Sequence, residues 1–331
     1  MNRSLLANAF KIVFRISLIV VICLVIIGLA ITRPTFVTQE PDLTDDYVSA
    51  DNLKKHVIFL SETSVPRSNE YPENLNSVAN YIKEKLSLST DDVSFQSYVA
   101  GAQTYKNVIA KFGPTSGDLI IIGAHYDAYA ELPGADDNAS GVAGLIELGR
   151  LLKTVELSSQ VLLVAYSLEE PPYFASKKMG SYVHASSLRA HTVKMMISLE
   201  MIGYFSEEED SQSFPVPLMG FVYPDRGNFI AVVDRFTANN AAGLKSVINQ
   251  YTDLSAYSIN APASVTGVDF SDHRNYWAFG FPAIMVTDTA FFRNRAYHTV
   301  NDTYDKLNYK AMAKVVFGVF KYVQKIDNQK K

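Results

Sequence analysis

The sequence predicts an α/β fold: a three-layer sandwich with a mostly parallel mixed central sheet flanked by helices, plus an N-terminal transmembrane helix. Three observations lead there. Short runs rich in Val, Ile and Leu alternate with segments of helical periodicity. Several of these runs stay apolar to their last residue, the pattern of strands buried on both faces. Residues 16–31 contain no charged side chain at all.

That N-terminal run follows Arg3, Lys11 and Arg15 and is closed by Arg33 and Pro34. Its length is just sufficient for a bilayer core of ~30 Å. The basic residues before it favour a cytoplasmic N-terminus, with the rest of the chain on the periplasmic or extracellular side. A cleaved signal peptide is the rival. Against it, Gly28, Ala30 and Thr32 give no clean small-x-small site, and the bulky Ile22 before Cys23 does not suit a lipoprotein signal. The expected division is a stub and signal anchor over 1–35, a polar linker over 36–50 and one catalytic domain over 51–331.

Within the domain, residues 52–61 and 74–86 have apolar positions at helical spacing, such as Val78, Tyr81, Ile82 and Leu86. Strands are expected at 93–99, 105–112 and 118–127, then a helix over 140–152. A strand at 160–170, a helix around 180–190 and a strand at 193–204 follow. Residues 229–233 form a further strand before a helix reaching about 247. A strand over 282–288 and an amphipathic helix over 305–326 close the chain. Strands alternating with helices imply a largely parallel sheet.

With 48% hydrophobic and 19% charged residues, the chain is neither disordered nor collagen-like. A formal net charge of −4 offers no basic footprint for nucleic acid. The single cysteine excludes an internal disulfide framework and any cysteine-based zinc finger.

Polar residues gather where the apolar strands end. His125 and Asp127 follow one, Glu169 and Glu170 another, and Glu200 a third. In open α/β sheets the ligand crevice lies beyond the carboxyl ends of the strands. Two further clusters are GADDNASG (134–141), a turn leading into a helix, and RAYHTVNDTYD (295–305), which places His298 in a loop. Two imidazoles and at least three carboxylates make a hard N/O ligand set, suited to zinc or to a pair of metals bridged by one carboxylate.

The segments HYD, GADDNASG, LEEPP, LEMIGY and AYHT, in this order, resemble the co-catalytic dizinc aminopeptidases, a family related to glutamate carboxypeptidases and single-zinc glutaminyl cyclases. The resemblance covers most of residues 50–326. It implies two Zn²⁺ ions, with His125 and Glu200 on one, Glu170 and His298 on the other, and Asp137 bridging. It also implies hydrolysis through a metal-bridging water, with Glu169 as general base and Tyr297 polarising the scissile carbonyl. Asp127 would orient His125 through its other ring nitrogen, and Asp136 would be a turn or supporting residue. Many members have Asp where this chain has Glu200, which bears on substrate preference.

The implied function is a membrane-anchored zinc aminopeptidase acting on peptides with free N-termini. A glutaminyl cyclase, another amide hydrolase of the family, and a non-catalytic receptor domain are the alternatives. Asn138-Ala-Ser140 and Asn301-Asp-Thr303 match the glycosylation pattern but fall in the metal-site loops, so both read as false positives. Asp272–His273 reads as a structural hydrogen-bonded pair, and Phe270, Tyr276 and Trp277 as core or pocket aromatics.

Overall fold

The computed structural model describes residues 3–328; residues 1–2 of the stub and 329–331 at the domain's end lie outside it. Helix α1 (Arg3–Thr32) is longer than the uncharged run. Its segment Phe10–Thr32 spans 23 residues, ~34 Å at 1.5 Å per residue, enough to cross a bilayer by length and composition. The extra length comes from including Lys11 and Arg15, whose aliphatic stems can lie along apolar surface while the charge reaches water.

The expected linker is only partly free. Within it, α2 (Thr44–Tyr47) folds back, Val48 is buried, and Tyr47 stacks on Phe317 at 5.3 Å. Helix α3 (Ala50–Ile58) begins with the Ser49 side chain accepting from the Asn52 amide, a regular N-cap. After α4 (Pro72–Ser87), strands β1 (Val93–Ala100) and β2 (Gln103–Phe112) pair as an antiparallel hairpin.

The alternation then proceeds through β3 (Leu119–His125), α5 (Gly141–Leu152), β4 (Gln160–Tyr166), α6 (Gly180–Ser187) and β5 (Val193–Glu200). It continues with β6 (Phe229–Arg235), α7 (Asn240–Tyr251), β7 (Ser255–Ala261), α8 (His273–Ala278), β8 (Ala283–Thr287) and α9 (Tyr309–Asp327). Two of these, β7 and α8, have no counterpart in the sequence reading. Strand β7 is an edge strand whose polar and apolar residues alternate, and α8 is too short for a period to register.

The eight strands form one sheet in the order β1-β2-β4-β3-β5-β8-β6-β7. Its centre, β4, β3, β5 and β8, is parallel, while β1, β2 and the β6–β8 junction bring antiparallel pairings. Side chains alternate between two cores. Ile120, Ile122, Leu163 and Ala165 face the larger layer, with α3, α4, α5, α7 and α9. Ile121, Leu162, Val164 and Tyr166 face the smaller one, with α6 and α8. Covering both faces is what makes the central strands continuously apolar.

The smaller layer contains a buried polar chain in which His184 Nδ1 meets the Tyr276 hydroxyl at 2.6 Å, which meets that of Tyr166 at 2.7 Å. Burial pushes the His184 pKa down to about 3. A histidine held neutral in the fold contributes stability that is complete above its unfolded pKa of ~6.5 and is lost as pH falls towards the folded value. His184→Gln is therefore expected to flatten the loss of unfolding free energy between pH 6.5 and 4.5 by up to ~1.4 kcal/mol per pH unit, read from urea titrations of both proteins.

Candidate metal centre

The four parallel strands all run toward one end of the sheet, and the candidate residues stand there. His125 is the last residue of β3, and Glu200 the last of β5. Glu169 and Glu170 lie just past β4, and Asp137 lies in the turn before α5. Three residues at the site have left-handed backbone without being glycine: Leu168, Met201 and His298, at φ 62°, 49° and 54°. Such conformations are costly for residues with a Cβ and persist where surrounding contacts impose them. Here they turn the chain abruptly after a strand, or at the ligand itself.

Asp137 sits between the two imidazoles. Its Oδ1 is 3.3 Å from His125 Nε2 and its Oδ2 is 3.1 Å from His298 Nε2. Glu200 Oε2 is 3.4 Å from His125 Nε2, and Glu170 Oε2 is 3.3 Å from His298 Nε2. Two groups result, His125–Asp137–Glu200 and Asp137–Glu170–His298, each with ligand atoms within 4.8 Å of one another. Glu169 projects toward the first group, its Oε2 4.0 Å from His125 Nε2. The adjacent glutamates thus serve different imidazoles.

The electrostatics are those of a site built for cations. Burial pushes the Glu170 carboxyl up to about 8, with Asp137 adding to it. Burial likewise raises Glu169 and Glu200. Burial opposes a proton on His298, but Asp137 and Glu170 outweigh it and hold its pKa up to about 10. Yet His125 Nε2, His298 Nε2 and Glu170 Oε1 are buried and make no regular hydrogen bond. Buried polar atoms without partners are costly. Inward-facing imidazole nitrogens and carboxylate oxygens are also the hard donor set that zinc accepts. The residues fit a metal.

Supporting contacts fix these donors. The Asp127 carboxylate accepts the amides of Glu169 and Glu170 at 3.1 and 3.0 Å. It lies 3.6 Å from His125 Nδ1, which is closer to the main-chain carbonyl of Asp127, at 3.1 Å. Both the carbonyl and the carboxylate of Asp127 therefore lie against this ring nitrogen, and the carboxylate also organises the glutamate pair. Asp136 accepts from the Gly203 amide and the Asn294 side chain. The Tyr297 ring stacks on His298 at 3.8 Å, and Tyr129 stacks on His298 at 4.4 Å.

Three residues at the site went unrecognised in the sequence. Asp302, hidden in the Asn301-Asp-Thr303 pattern, accepts the amides of Asp136 and Asp137 at 3.0 and 3.1 Å. Ser271 donates to Glu200 Oε2 at 2.7 Å. Arg67, fully buried, donates to the carbonyls of Tyr126, Pro133 and Gly134 and so ties down the loop before Asp137. Only its place outside any motif distinguishes Arg67, so no local signal marks it. Gly134, with φ +56°, has no room for a side chain: a Cβ would lie 2.2 Å from the Asp137 carbonyl.

Asn138 is wholly buried, its side chain bonded to Leu199, Gly141 and Met201, so it accepts no glycan; Asn301 is exposed. Asp272 and His273 are not paired: His273 Nε2 contacts the Val268 carbonyl, and neither Asp272 oxygen takes a regular hydrogen bond. Of the three aromatics, Phe270 lines a pocket of about 80 Å³ beside Glu200 and Tyr297. Tyr276 and Trp277 pack in the smaller layer.

Residues 107–323 match peptidase family M28, and the chain belongs to that family of zinc-dependent metallopeptidases. A relative from Escherichia coli, the uncharacterized protein YfbL, is 50% identical over 285 residues, covering 83% of this chain and 88% of its own length. The probable aminopeptidase YDR415C of Saccharomyces cerevisiae is 29% identical over 234 residues, 65% of this chain and 56% of its own. In fold the chain is similar to the LapA aminopeptidase of Legionella pneumophila, with a TM-score of 0.69 at 20% identity over 87% of this chain and 74% of that one. It is also similar to a glutaminyl cyclase of Bacteroides thetaiotaomicron, with a TM-score of 0.63 at 16% identity over 85% and 98% of the two chains.

Asp302→Ala removes both acceptors that hold the Asp136 and Asp137 amides. It is expected to weaken zinc binding by ~10–100-fold, the usual effect of losing a group that supports a metal ligand, measured by competition with a chromophoric chelator.

Proposed function

We propose that this chain is a membrane-anchored aminopeptidase that uses two zinc ions to release apolar residues from the free N-termini of peptides. The observation that carries the reading is the apolar pocket adjoining the doubled ligand set. The pocket opens beside Glu200 and Tyr297 and is walled by apolar residues such as Phe214, Met219, Val268 and Phe270, a lining suited to an apolar side chain.

His125 and Glu200 would hold one ion, Glu170 and His298 the other, and Asp137 both. When bound, zinc polarises a scissile carbonyl and lowers the pKa of water. Glu169 Oε2 would take the proton from the attacking water and return it to the leaving amine, a transfer favoured because burial raises the pKa of this carboxyl and so its basicity. Tyr297, its ring held against His298, would donate a hydrogen bond from its hydroxyl to the developing oxyanion. The acidic cluster would also attract the substrate's α-ammonium, which limits cleavage to the chain end.

Anchoring is supported by the last turn of α1, which is joined to the domain. The Thr32 carbonyl accepts from Lys245 Nζ at 2.8 Å and from the Ser258 hydroxyl at 2.7 Å. Lys11 and Arg15 near its start favour an outward-facing domain. The doubled ligand set favours peptide hydrolysis over single-zinc cyclisation.

The test uses the full chain, purified in detergent with zinc, and a mixture of free and N-acetylated peptides followed by mass spectrometry. Stepwise loss of apolar residues from free N-termini alone is expected. Ammonia loss from peptides starting with Gln would make the chain a cyclase, cleavage of blocked peptides another kind of peptidase, and no change a non-catalytic domain. Glu169→Gln should lower kcat by ~10²–10⁴-fold with zinc content unchanged.

A further inference from the structure

Residues 211–224, SQSFPVPLMGFVYP, contain no charged side chain, although Glu207–Asp210 precede them and Asp225 and Arg226 follow. Within this loop the short 3₁₀ turn Pro217–Phe221 presents apolar side chains to solvent. Leu218 is 65% exposed, Phe221 86% and Val222 50%. Three neighbouring apolar side chains held outward on one turn are not explained by packing, and such surface marks contact with a partner or a membrane.

The place of this turn decides between them. Ser258, on the edge strand β7, is a shared contact: its hydroxyl donates to the Thr32 carbonyl at the end of α1, and its carbonyl accepts from the Tyr223 hydroxyl at 2.8 Å. The loop is therefore one residue away from the end of the apolar helix. Tyr223 is itself buried, with its ring against Tyr257 and Phe214, so the loop is fixed on the domain. Around the same helix end stand Phe36, 98% exposed, and Phe236, whose carbonyl accepts from Arg33 Nη2 at 3.1 Å. Aromatic side chains are concentrated where membrane-spanning helices leave the bilayer.

We propose that the turn at residues 217–222 is a second membrane contact, dipping Leu218, Phe221 and Val222 into the lipid interface beside the anchor. This inference rests on reading α1 as that anchor. With a helix end and a loop both at the bilayer, the domain has a set orientation rather than swinging on a tether. Phe214, Pro215 and Met219 of the same loop line the pocket beside Glu200, so the pocket stands next to the membrane surface.

The lone cysteine makes the test direct. In a Cys23→Ser background of the full chain, an environment-sensitive fluorophore is attached at Phe221→Cys, at Leu29→Cys on α1, or at Glu84→Cys on α4 near the opposite edge of the sheet. Each protein is placed in lipid nanodiscs containing shallow spin-labelled lipid. Quenching at positions 29 and 221 but not at 84 is the expected result. Quenching at 29 without quenching at 221 overturns the second contact and leaves the anchor intact. No quenching at 29 overturns the anchor, and the inference with it. Quenching at all three positions, including 84, also overturns it, because the contact would then be nonspecific.

Discussion

The constraint on which this structure turns is the burial of many carboxylates at one end of the sheet. Asp127, Asp136, Asp137, Glu169, Glu170, Glu200, Asp272, Asp288 and Asp302 are all buried, against His125, the half-buried His298, Arg67 and Arg293. An isolated buried carboxylate is costly, and like charges held close together oppose one another's ionisation. The fold answers in two ways. Some acids are spent on backbone amides, as Asp127 is on the glutamate pair and Asp302 on the Asp136–Asp137 turn. Asp136 and Asp288 likewise accept amides, while Asp137, Glu169, Glu170 and Glu200 converge on two imidazole nitrogens without hydrogen bonds of their own, where a metal cation would supply positive charge.

Those amide contacts explain why the site needs a rigid sheet beneath it. Left-handed backbone at Leu168 turns the chain just before the glutamate pair, at Met201 just after Glu200, and at His298 on the candidate ligand itself. Parallel pairing of β4, β3, β5 and β8 sets the strand ends side by side, and packed layers on both faces keep them there. Ser271, Arg67 and Asp302 then come from three distant parts of the chain to hold the turns in place. The precision of the centre is a property of the layers, expressed at their edge.

The opposite end of the sheet order has a different task. Strand β7 is an edge, and exposed edges invite unwanted pairing. Here the last turn of α1 and the Tyr223 side chain lie along it, so the feature that protects the edge also joins the apolar helix to the domain. Lys245 of α7 strengthens that join through the Thr32 carbonyl. Pocket, loop and helix end are thereby linked through a single strand.

By itself the sequence determined the class of fold and the apolar N-terminal span, and it picked out the histidines and carboxylates that the fold brings together. Strands buried on both faces must be apolar throughout, a bilayer demands length without charge, and ionisable groups at the ends of such strands stand out against them. Sequence could not reveal β7, α8, the folded half of the expected linker, or the supporting roles of Arg67, Ser271 and Asp302. Nor could it show that the main-chain carbonyl of Asp127 also meets His125 Nδ1, because a main-chain carbonyl has no side-chain signature. Those features depend on contacts between segments far apart in the chain, where any polar residue in a loop reads alike until the fold brings its partner to it. The resemblance implied Asp137 as the shared carboxylate, and tertiary structure sets its two oxygens against the two imidazoles, a matter of distance and not of residue type.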